Sequence, residues 1–405
     1  MVNIAVLGYG TVGSGVVEVI NTNGTRINQR VGDEIAVKYV LDLRDFPEDP
    51  IQEKIVHDYD VILSDPEVKI VVEVMGGIEP AYTFVKSALL AGKSVATSNK
   101  ALVAKHGAEL LSIAQEKNIN FLFEASVGGG IPIIRPLNTS LTADEIEEIT
   151  GILNGTTNYM MTKMFYEGAD YDTVLTEAQD NGYAERNPEA DVEGYDACRK
   201  IAILASLISG QQVDFEDIYC EGITKITTED MDYARAMDMT IKLLAICKRD
   251  GDHLHAIVAP YLLGKEHPLY NVNDVFNAIF VHGNVLGDSM FYGSGAGKLP
   301  TASAVVSDVV EEAKNLNRNV MTMWKSDKLE LFPIGETKKK FFVRIRGEEA
   351  ALKAHLESEF GAIEIVKAEG VEGEFGFITG KISENEYEEH AKEFPAILSR
   401  IRMEG

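Results

Sequence analysis

The chain is poor in cysteine, poor in positive charge and without a long apolar run. Its three cysteines, Cys198, Cys220 and Cys247, form no C-x-x-C pair and no metal-ligand spacing. That excludes a disulfide scaffold and a zinc knuckle, and it fits structural thiols in a reducing cytoplasm. Lysine and arginine number 38 against 64 acidic residues, a formal charge of −26. Such a chain offers no phosphate-binding field, which argues against a nucleic-acid partner. An anionic cofactor would have to meet a local positive patch or helix N-termini. No apolar stretch approaches membrane-spanning length, and the N-terminus opens directly on a strand rather than a leader, so no membrane role is expected and the location expected is cytoplasmic. No internal repeat or low-complexity segment interrupts the chain.

What is there is enough for two or three domains with a sizeable core: 405 residues, 45% hydrophobic and 25% charged. Val2 to Leu7 is a short apolar run that reads as a buried parallel strand. G-Y-G-T-V-G follows at 8–13, and then a helical apolar pattern through Val16, Val17, Val19 and Ile20. In that context Gly8, Gly10 and Gly13 allow a tight turn and the close approach of a pyrophosphate, which sits on the helix N-terminus. Alternation continues, with strands at 35–41, 70–74, 94–97 and 120–123 and helices at 80–91 and 101–117. Repeated βα units predict an α/β fold with a Rossmann-type, doubly wound parallel sheet, its ligands at the carboxyl ends of the strands. Asp42 and Arg44 fall at the end of the second strand. An acid there favours a ribose 2′-hydroxyl and an arginine a 2′-phosphate, so the pair predicts use of both NAD and NADP.

Three glycine-rich or polar stretches fall at later strand ends: Met75-Gly76-Gly77, Ser98-Asn99-Lys100 and Glu124 to Gly130. Lys100 opposes the dipole of the helix it starts, so it needs another reason to be there. Glu124 beside exposed glycine carbonyls suits a hard cation, and the same stretch also reads as an interdomain hinge.

The stretch from Gly182 to Lys200, G-Y-A-E-R-N-P-E-A-D-V-E-G-Y-D-A-C-R-K, concentrates charge at the mouth of an apolar helix. Pro188 and Gly194 make its first part a loop. Asp196 and Lys200 are four apart and share a helix face, and I-A-I-L-A-S-L-I at 201–208 continues that helix into a core. Burial lowers a lysine pKa and makes it a usable proton donor, while an adjacent carboxylate holds it charged. Glu185, Asp191 and Asp196 offer carboxylates for an ammonium group. Near residue 293, G-S-G-A-G-K-L-P-T-A-S-A is a second glycine loop ahead of a helix, read as phosphate- or nicotinamide-facing or as a flexible loop.

The division expected is a dinucleotide-binding unit over 1–130, a substrate-binding catalytic unit over 131–325 whose chain returns to the first near 293–320, a polar linker over 326–340, and a C-terminal unit over 341–405. The last has strand, helix, strand, strand, helix, strand in order, the split ferredoxin-like arrangement.

Taken together, G-Y-G-T-V-G at 8–13, A-G-K-S-V-A-T-S-N-K at 91–100, E-A-S-V-G-G-G-I-P-I-I at 124–134, N-G-T-T-N-Y at 154–159, G-Y-A-E at 182–185 and G-S-G-A-G-K-L-P-T-A-S-A-V at 293–305 resemble homoserine dehydrogenase. The C-terminal unit resembles an ACT domain, although its first turn, Arg346-Gly347-Glu348-Glu349, lacks the Asp-x-Pro-Gly pattern common there. The family resemblance implies NAD(P)-dependent interconversion of L-aspartate 4-semialdehyde and L-homoserine, on the route to threonine, methionine and isoleucine. It implies Lys200 as proton donor, Asp196 and Glu185 on the substrate hydroxyl and amino groups, Gly182 lining the site, and Lys100 near both nicotinamide and substrate. Tyr9, Thr11 and Val12 would contact the pyrophosphate, with Gly76 and Gly297 around the nicotinamide. Glu124, with the carbonyls of Val127, Gly129 and Ile131, matches the family's sodium site. The C-terminal unit is expected to pair with a second copy, making at least a homodimer, and to bind threonine as an effector. Two other readings stand beside this one. One is an oxidoreductase for another amino-acid aldehyde, distinguished by the substrate end around Thr156 and Gly182. The other is a non-catalytic sensor, against which the presence of both Lys100 and Lys200 speaks.

Overall fold

A computed structural model describes residues 1–321 and 324–404, so the expected ranges 131–325 and 341–405 each include residues outside that description. The first sheet is built from β1 (Val2–Leu7), α1 (Thr11–Val31), β2 (Ile35–Leu41), β3 (Ile55–Val56), β4 (Val68–Glu73), α2 (Ala81–Leu90), β5 (Ser94–Thr97), α3 (Lys100–Glu116) and β6 (Phe121–Leu122). Its strands are parallel in the order β3-β2-β1-β4-β5-β6. β1 can sit at the centre because Ile4, Ala5, Val6 and Leu7 are apolar on both faces and fully buried. The strand order reverses at β1, so the turn that follows it faces the crevice where such sheets hold ligands. A Cβ on Gly13 would fall 1.9 Å from the Gly8 carbonyl oxygen, so only glycine lets α1 start this close to the strand.

The chain then crosses to β7 (Ile146–Ile152), α4 (Gly155–Glu167), α5 (Tyr195–Ser209), β8 (Met239–Asp250), β9 (His253–Gly264), β10 (Phe276–Gly283) and β11 (Gly287–Ser294). It returns to the first sheet as α6 (Lys298–Lys314). Ala302, Val305 and Val309 of α6 share one core with Val16 and Val17 of α1. A Cβ on Gly15 would come within 2.9 Å of the Lys298 carbonyl oxygen, so a small residue is required where the helices cross.

The C-terminal part adds β12 (Lys338–Arg346), α7 (Glu349–Phe360), β13 (Glu364–Val366), β14 (Glu374–Ile378), α8 (Glu384–Ala391) and β15 (Ile397–Glu404), the expected β-α-β-β-α-β order apart from a two-residue strand, Ile382–Ser383, that pairs with the start of β12. The edge of β15 is already filled. β15 runs parallel to β9, pairing Tyr261 with Arg402 and Leu263 with Glu404, so the second sheet continues as β11-β10-β7-β8-β9-β15-β12-β14-β13. One edge of this unit, β15, is thus covered within the chain, and β13 forms the end of the sheet. Arg402, fully buried, donates to Glu221 at 2.7 Å and is gripped by Glu384, while Arg344 donates to Asp230 and Glu374, each at 2.8 Å.

The expected linker also differs. Lys325–Lys328 is a strand beside Gln211–Gln212, and Lys338 to Lys340 already belong to β12. Trp324 is buried and sits against Gly107 of α3, where a Cβ would fall 2.3 Å from its ring. Its indole N–H donates to Gln212 at 2.9 Å. A buried aromatic with its one donor satisfied anchors this segment, which composition alone read as polar and loose.

Candidate active site

Helix α5 leaves Gly194, whose φ of +84° sets the turn, and places Asp196 in its first turn, where an acid is favoured by the dipole. Lys200 follows one turn on. Both side chains are buried, and Lys200 Nζ donates to Asp196 Oδ2 and to the Leu153 carbonyl, each at 2.6 Å. Two of the three ammonium donors are thereby used among the described residues. Lys100, on the first turn of α3, makes an ion pair with the other oxygen, Asp196 Oδ1. That pairing is the reason for a lysine at a position its own helix dipole disfavours.

Asn154, the N-cap of α4, accepts from the Thr157 amide at 2.9 Å and turns its Nδ2 to Asp191 Oδ1 at 2.7 Å and Asp196 Oδ2 at 3.0 Å. One side chain therefore both starts a helix and joins two carboxylates. In the sequence Asn154 stands out only as the first residue of N-G-T-T-N-Y, and nothing local there marks its second role.

Burial lowers the Lys200 pKa below its ordinary value, and the Asp196 carboxylate offsets part of that shift. For Asp196, burial pushes up, but the Lys200 and Lys100 ammonium groups outweigh it and hold the carboxyl well below the usual range. Asp191 is pushed up, chiefly by burial, with the nearby Asp196 charge adding.

These groups face a cleft of about 670 Å3. Lys100, Lys200, Asp191 and Asp196 line it together with Gly182 and Glu185. Glu185 is exposed, and its carboxylate meets no partner among the described residues, whereas Gly182 holds φ +74°. Val12, Gly129 and Gly297 line the same cleft from the dinucleotide side, so the glycine turn and the acidic stretch share one space. Thr156, Ser98 and Ser126 line it too, and Thr156 Oγ1 donates to the Tyr183 carbonyl at 2.5 Å.

At the dinucleotide end, α1 has no side-chain cap and no acid in its first turn, leaving the amides beyond Gly10 open to an anion. Gly8 at φ +96° and Gly76 at φ +91° end β1 and β4 on that side. Tyr9, Gly8, Gly10, Thr11, Gly13 and Gly76 lie outside the lining of the central cleft. Tyr9 faces a neighbouring cavity of about 610 Å3 and donates to Asp49 at 3.0 Å. Asp42 accepts the Tyr9 amide at 2.8 Å and is forked by Arg44 at 2.9 and 3.0 Å, which holds its carboxyl well below the ordinary range.

The Glu124 carboxylate differs from the cation ligand expected. It is buried and accepts backbone amides of Ile133, Ile134 and Arg135 at 2.5, 2.8 and 2.7 Å. Three amide donors occupy both its oxygens, so this carboxylate clamps the following turn. The carbonyl oxygens of Val127, Gly129 and Ile131, by contrast, accept no hydrogen bond among the described residues.

A family model described as homoserine dehydrogenase matches residues 132–310, and another, described as homoserine dehydrogenase, NAD binding domain, matches residues 8–124. The chain belongs to the homoserine dehydrogenase family. It is 45% identical over 326 residues to the homoserine dehydrogenase of Bacillus subtilis (strain 168), covering 79% of this chain and 74% of that one. The crystal structure of a homoserine dehydrogenase from Thiobacillus denitrificans superposes with a TM-score of 0.90 at 35% identity, covering 100% of this chain and 98% of that one. A hyperthermophilic archaeal homoserine dehydrogenase in complex with NADPH superposes with a TM-score of 0.66 at 29% identity, over 77% of this chain and 97% of that one. As a homoserine dehydrogenase, the chain is an NAD(P)-dependent oxidoreductase that interconverts L-aspartate 4-semialdehyde and L-homoserine.

Proposed function

We propose that Lys200 is the proton donor of this reaction, with Asp196 setting its charge and Lys100 stabilising the developing oxyanion. The observation that carries this reading is the buried Lys200 ammonium, which has one donor left and lines the same cleft as Val12 and Gly297. When bound, NAD(P) supplies or accepts the hydride. The chain's residues do the rest. Reduction of the aldehyde builds charge on its oxygen, and a lysine with a lowered pKa gives up its proton there more readily than a solvated one. Asp191 and Asp196 are the carboxylates for the substrate's ammonium and hydroxyl, and the unpartnered Glu185 completes the amino-group end next to Gly182. Tyr9, Thr11 and Val12 hold the pyrophosphate on the open N-terminus of α1, with Gly8, Gly10 and Gly13 allowing its approach and Gly76 and Gly297 flanking the nicotinamide. Purified protein with homoserine and either NAD or NADP, followed by reduced-nicotinamide absorbance, tests the assignment when set beside Lys200→Ala.

The unit boundaries are proposed as 1–130 with α6, 131–325, and the C-terminal unit from β12 onward. A sodium ion fits the loop through the carbonyls of Val127, Gly129 and Ile131, with Glu124 contributing only its own carbonyl because its carboxylate is taken. Such an ion would fix the loop that lines the cleft at Gly129.

A homodimer in a cytoplasmic setting completes the reading. Its contact is better carried by β10 and β11 than by the C-terminal unit. There Phe276 and Tyr292 stack at 5.3 Å, and Met290, Val285 and Leu286 are exposed on the sheet's last strand and its turn. The C-terminal unit is proposed as an ACT-like effector module that binds threonine. Its docking through Arg402 and Glu221 gives an effector a physical connection to the catalytic unit, provided the effector binds two arrangements with different affinity.

A further inference from the structure

Asn277 on β10 is fully buried, and among the described residues neither its Oδ1 nor its Nδ2 has a hydrogen-bond partner. Its carboxamide lies against bare backbone. A Cβ on Gly295 would fall 2.0 Å from Nδ2 and 2.7 Å from Oδ1. A Cβ on Gly155 would lie 3.5 Å from Oδ1. Both glycines line the catalytic cleft: Gly155 opens α4 beside Asn154, and Gly295 begins the turn that reaches Gly297 and α6. The amides of Gly295 and Ala296 donate no hydrogen bond among the described residues. A third loop meets the same turn, since a Cβ on Gly129 would fall 2.3 Å from the Gly295 carbonyl oxygen.

Buried polar groups without partners are rare, because they lose water and gain nothing in exchange. An apolar side chain of the same shape would suit this site better if packing were all that mattered. Here an unpaired acceptor on the side chain lies against a turn with unpaired amide donors, in which Gly295 and Gly297 flank the single methyl of Ala296. We propose that Asn277 is a positioning residue. Its Oδ1 takes the amide of Gly295 or Ala296 when that turn settles over the bound nicotinamide cofactor, fixing Gly297 and the start of α6. The inference rests on the reading that the cofactor lies at Gly297.

The test compares wild type with Asn277→Leu, which keeps the shape without polar atoms, and Asn277→Asp, which keeps the acceptor. Melting temperature is read with and without one fixed NADPH concentration, and KM is measured for NADPH and for the semialdehyde. Loss of one hydrogen bond formed only in the bound state predicts a roughly tenfold higher KM for NADPH. The NADPH-induced Tm gain of Asn277→Leu should fall clearly below that of wild type, while its Tm without cofactor is equal or higher. The semialdehyde KM should stay within about twofold, and Asn277→Asp should recover most of the NADPH gain. If Asn277→Leu does not fold, Asn277→Ala is read by the same NADPH gain. An unchanged gain in the variant beside a normal wild-type gain overturns this inference alone, as does a lowered Tm without cofactor combined with an unchanged NADPH KM. Absence of any gain in wild type overturns the cofactor reading and this inference with it.

Discussion

Asp196 Oδ2 lies 2.6 Å from Lys200 Nζ, one helix turn away on a helix whose middle is core. Its other oxygen holds Lys100, so one buried carboxylate balances two ammonium groups that come from different helices, α5 and α3. A buried pair of this kind is strongly coupled, and removing the carboxylate leaves an uncompensated charge. Asp196→Asn should therefore lower the Lys200 pKa further, since the carboxylate is what favours its charged form. With Lys200 as the proposed proton donor, reduction draws on its protonated form, and the rate falls as pH rises through that pKa. In Asp196→Asn the fall should begin at lower pH than in wild type. Superimposable pH–rate profiles would show that the two residues are not coupled.

Cofactor choice turns on Asp42 and Arg44. Arg44 is largely exposed and holds Asp42 from outside, so it can swing to a 2′-phosphate without disturbing the bond from the Tyr9 amide. Arg44→Ala should raise KM for NADP roughly tenfold, the scale of one charge-assisted hydrogen bond. KM for NAD should change far less. Equal effects on both cofactors would place Arg44 away from the adenine ribose.

Glu124→Gln replaces a carboxylate that accepts three amides by a group with one acceptor oxygen. Stability should drop by about 1.5–3 kcal/mol in urea titrations. The drop should be the same in sodium and in choline chloride. A larger loss in sodium would return the carboxylate to the role of cation ligand.

Lys242 is buried, donates to the Val272 carbonyl at 2.6 Å and to Asn273 at 3.0 Å, and has its pKa lowered to about 7 by burial. Its ordinary value is 10.5, so between these two the unfolded chain binds a proton that the folded chain does not. Stability therefore gains from Lys242 as pH rises through that window, and the gain is complete above the unfolded value. In Lys242→Met the rise of Tm from neutral to alkaline pH should be smaller than in wild type. Parallel pH profiles would remove Lys242 as its source.

Much of this arrangement is legible before any fold is known. Asp196 and Lys200 declare themselves because a charged i,i+4 pair precedes I-A-I-L-A-S-L-I, and no solvated face looks like that. Gly8, Gly10 and Gly13 are legible because they stand directly behind an apolar strand. Lys100 is half legible: its conflict with the helix dipole marks it, but its partner lies on α5 and only the packing of α3 against α5 brings them together. Glu124 misleads because a carboxylate next to glycines looks the same whether it meets a cation or three amides; the turn at Ile133 to Arg135 decides. Trp324 and the pairing of β9 with β15 are invisible to local patterns, since they depend on partners far apart in the chain. Asn154 hides for the opposite reason. Its local role as a cap explains it so well that its second role, between Asp191 and Asp196, leaves no further mark.

The assignment of Lys200 is the centre of this account. Its most direct test is the kcat of Lys200→Ala for reduction of L-aspartate 4-semialdehyde, measured with NADPH binding checked in the same preparation. Loss of a general acid predicts a fall of roughly 10²–10⁴ in kcat with NADPH affinity largely kept. Turnover within a few-fold of wild type would contradict the assignment.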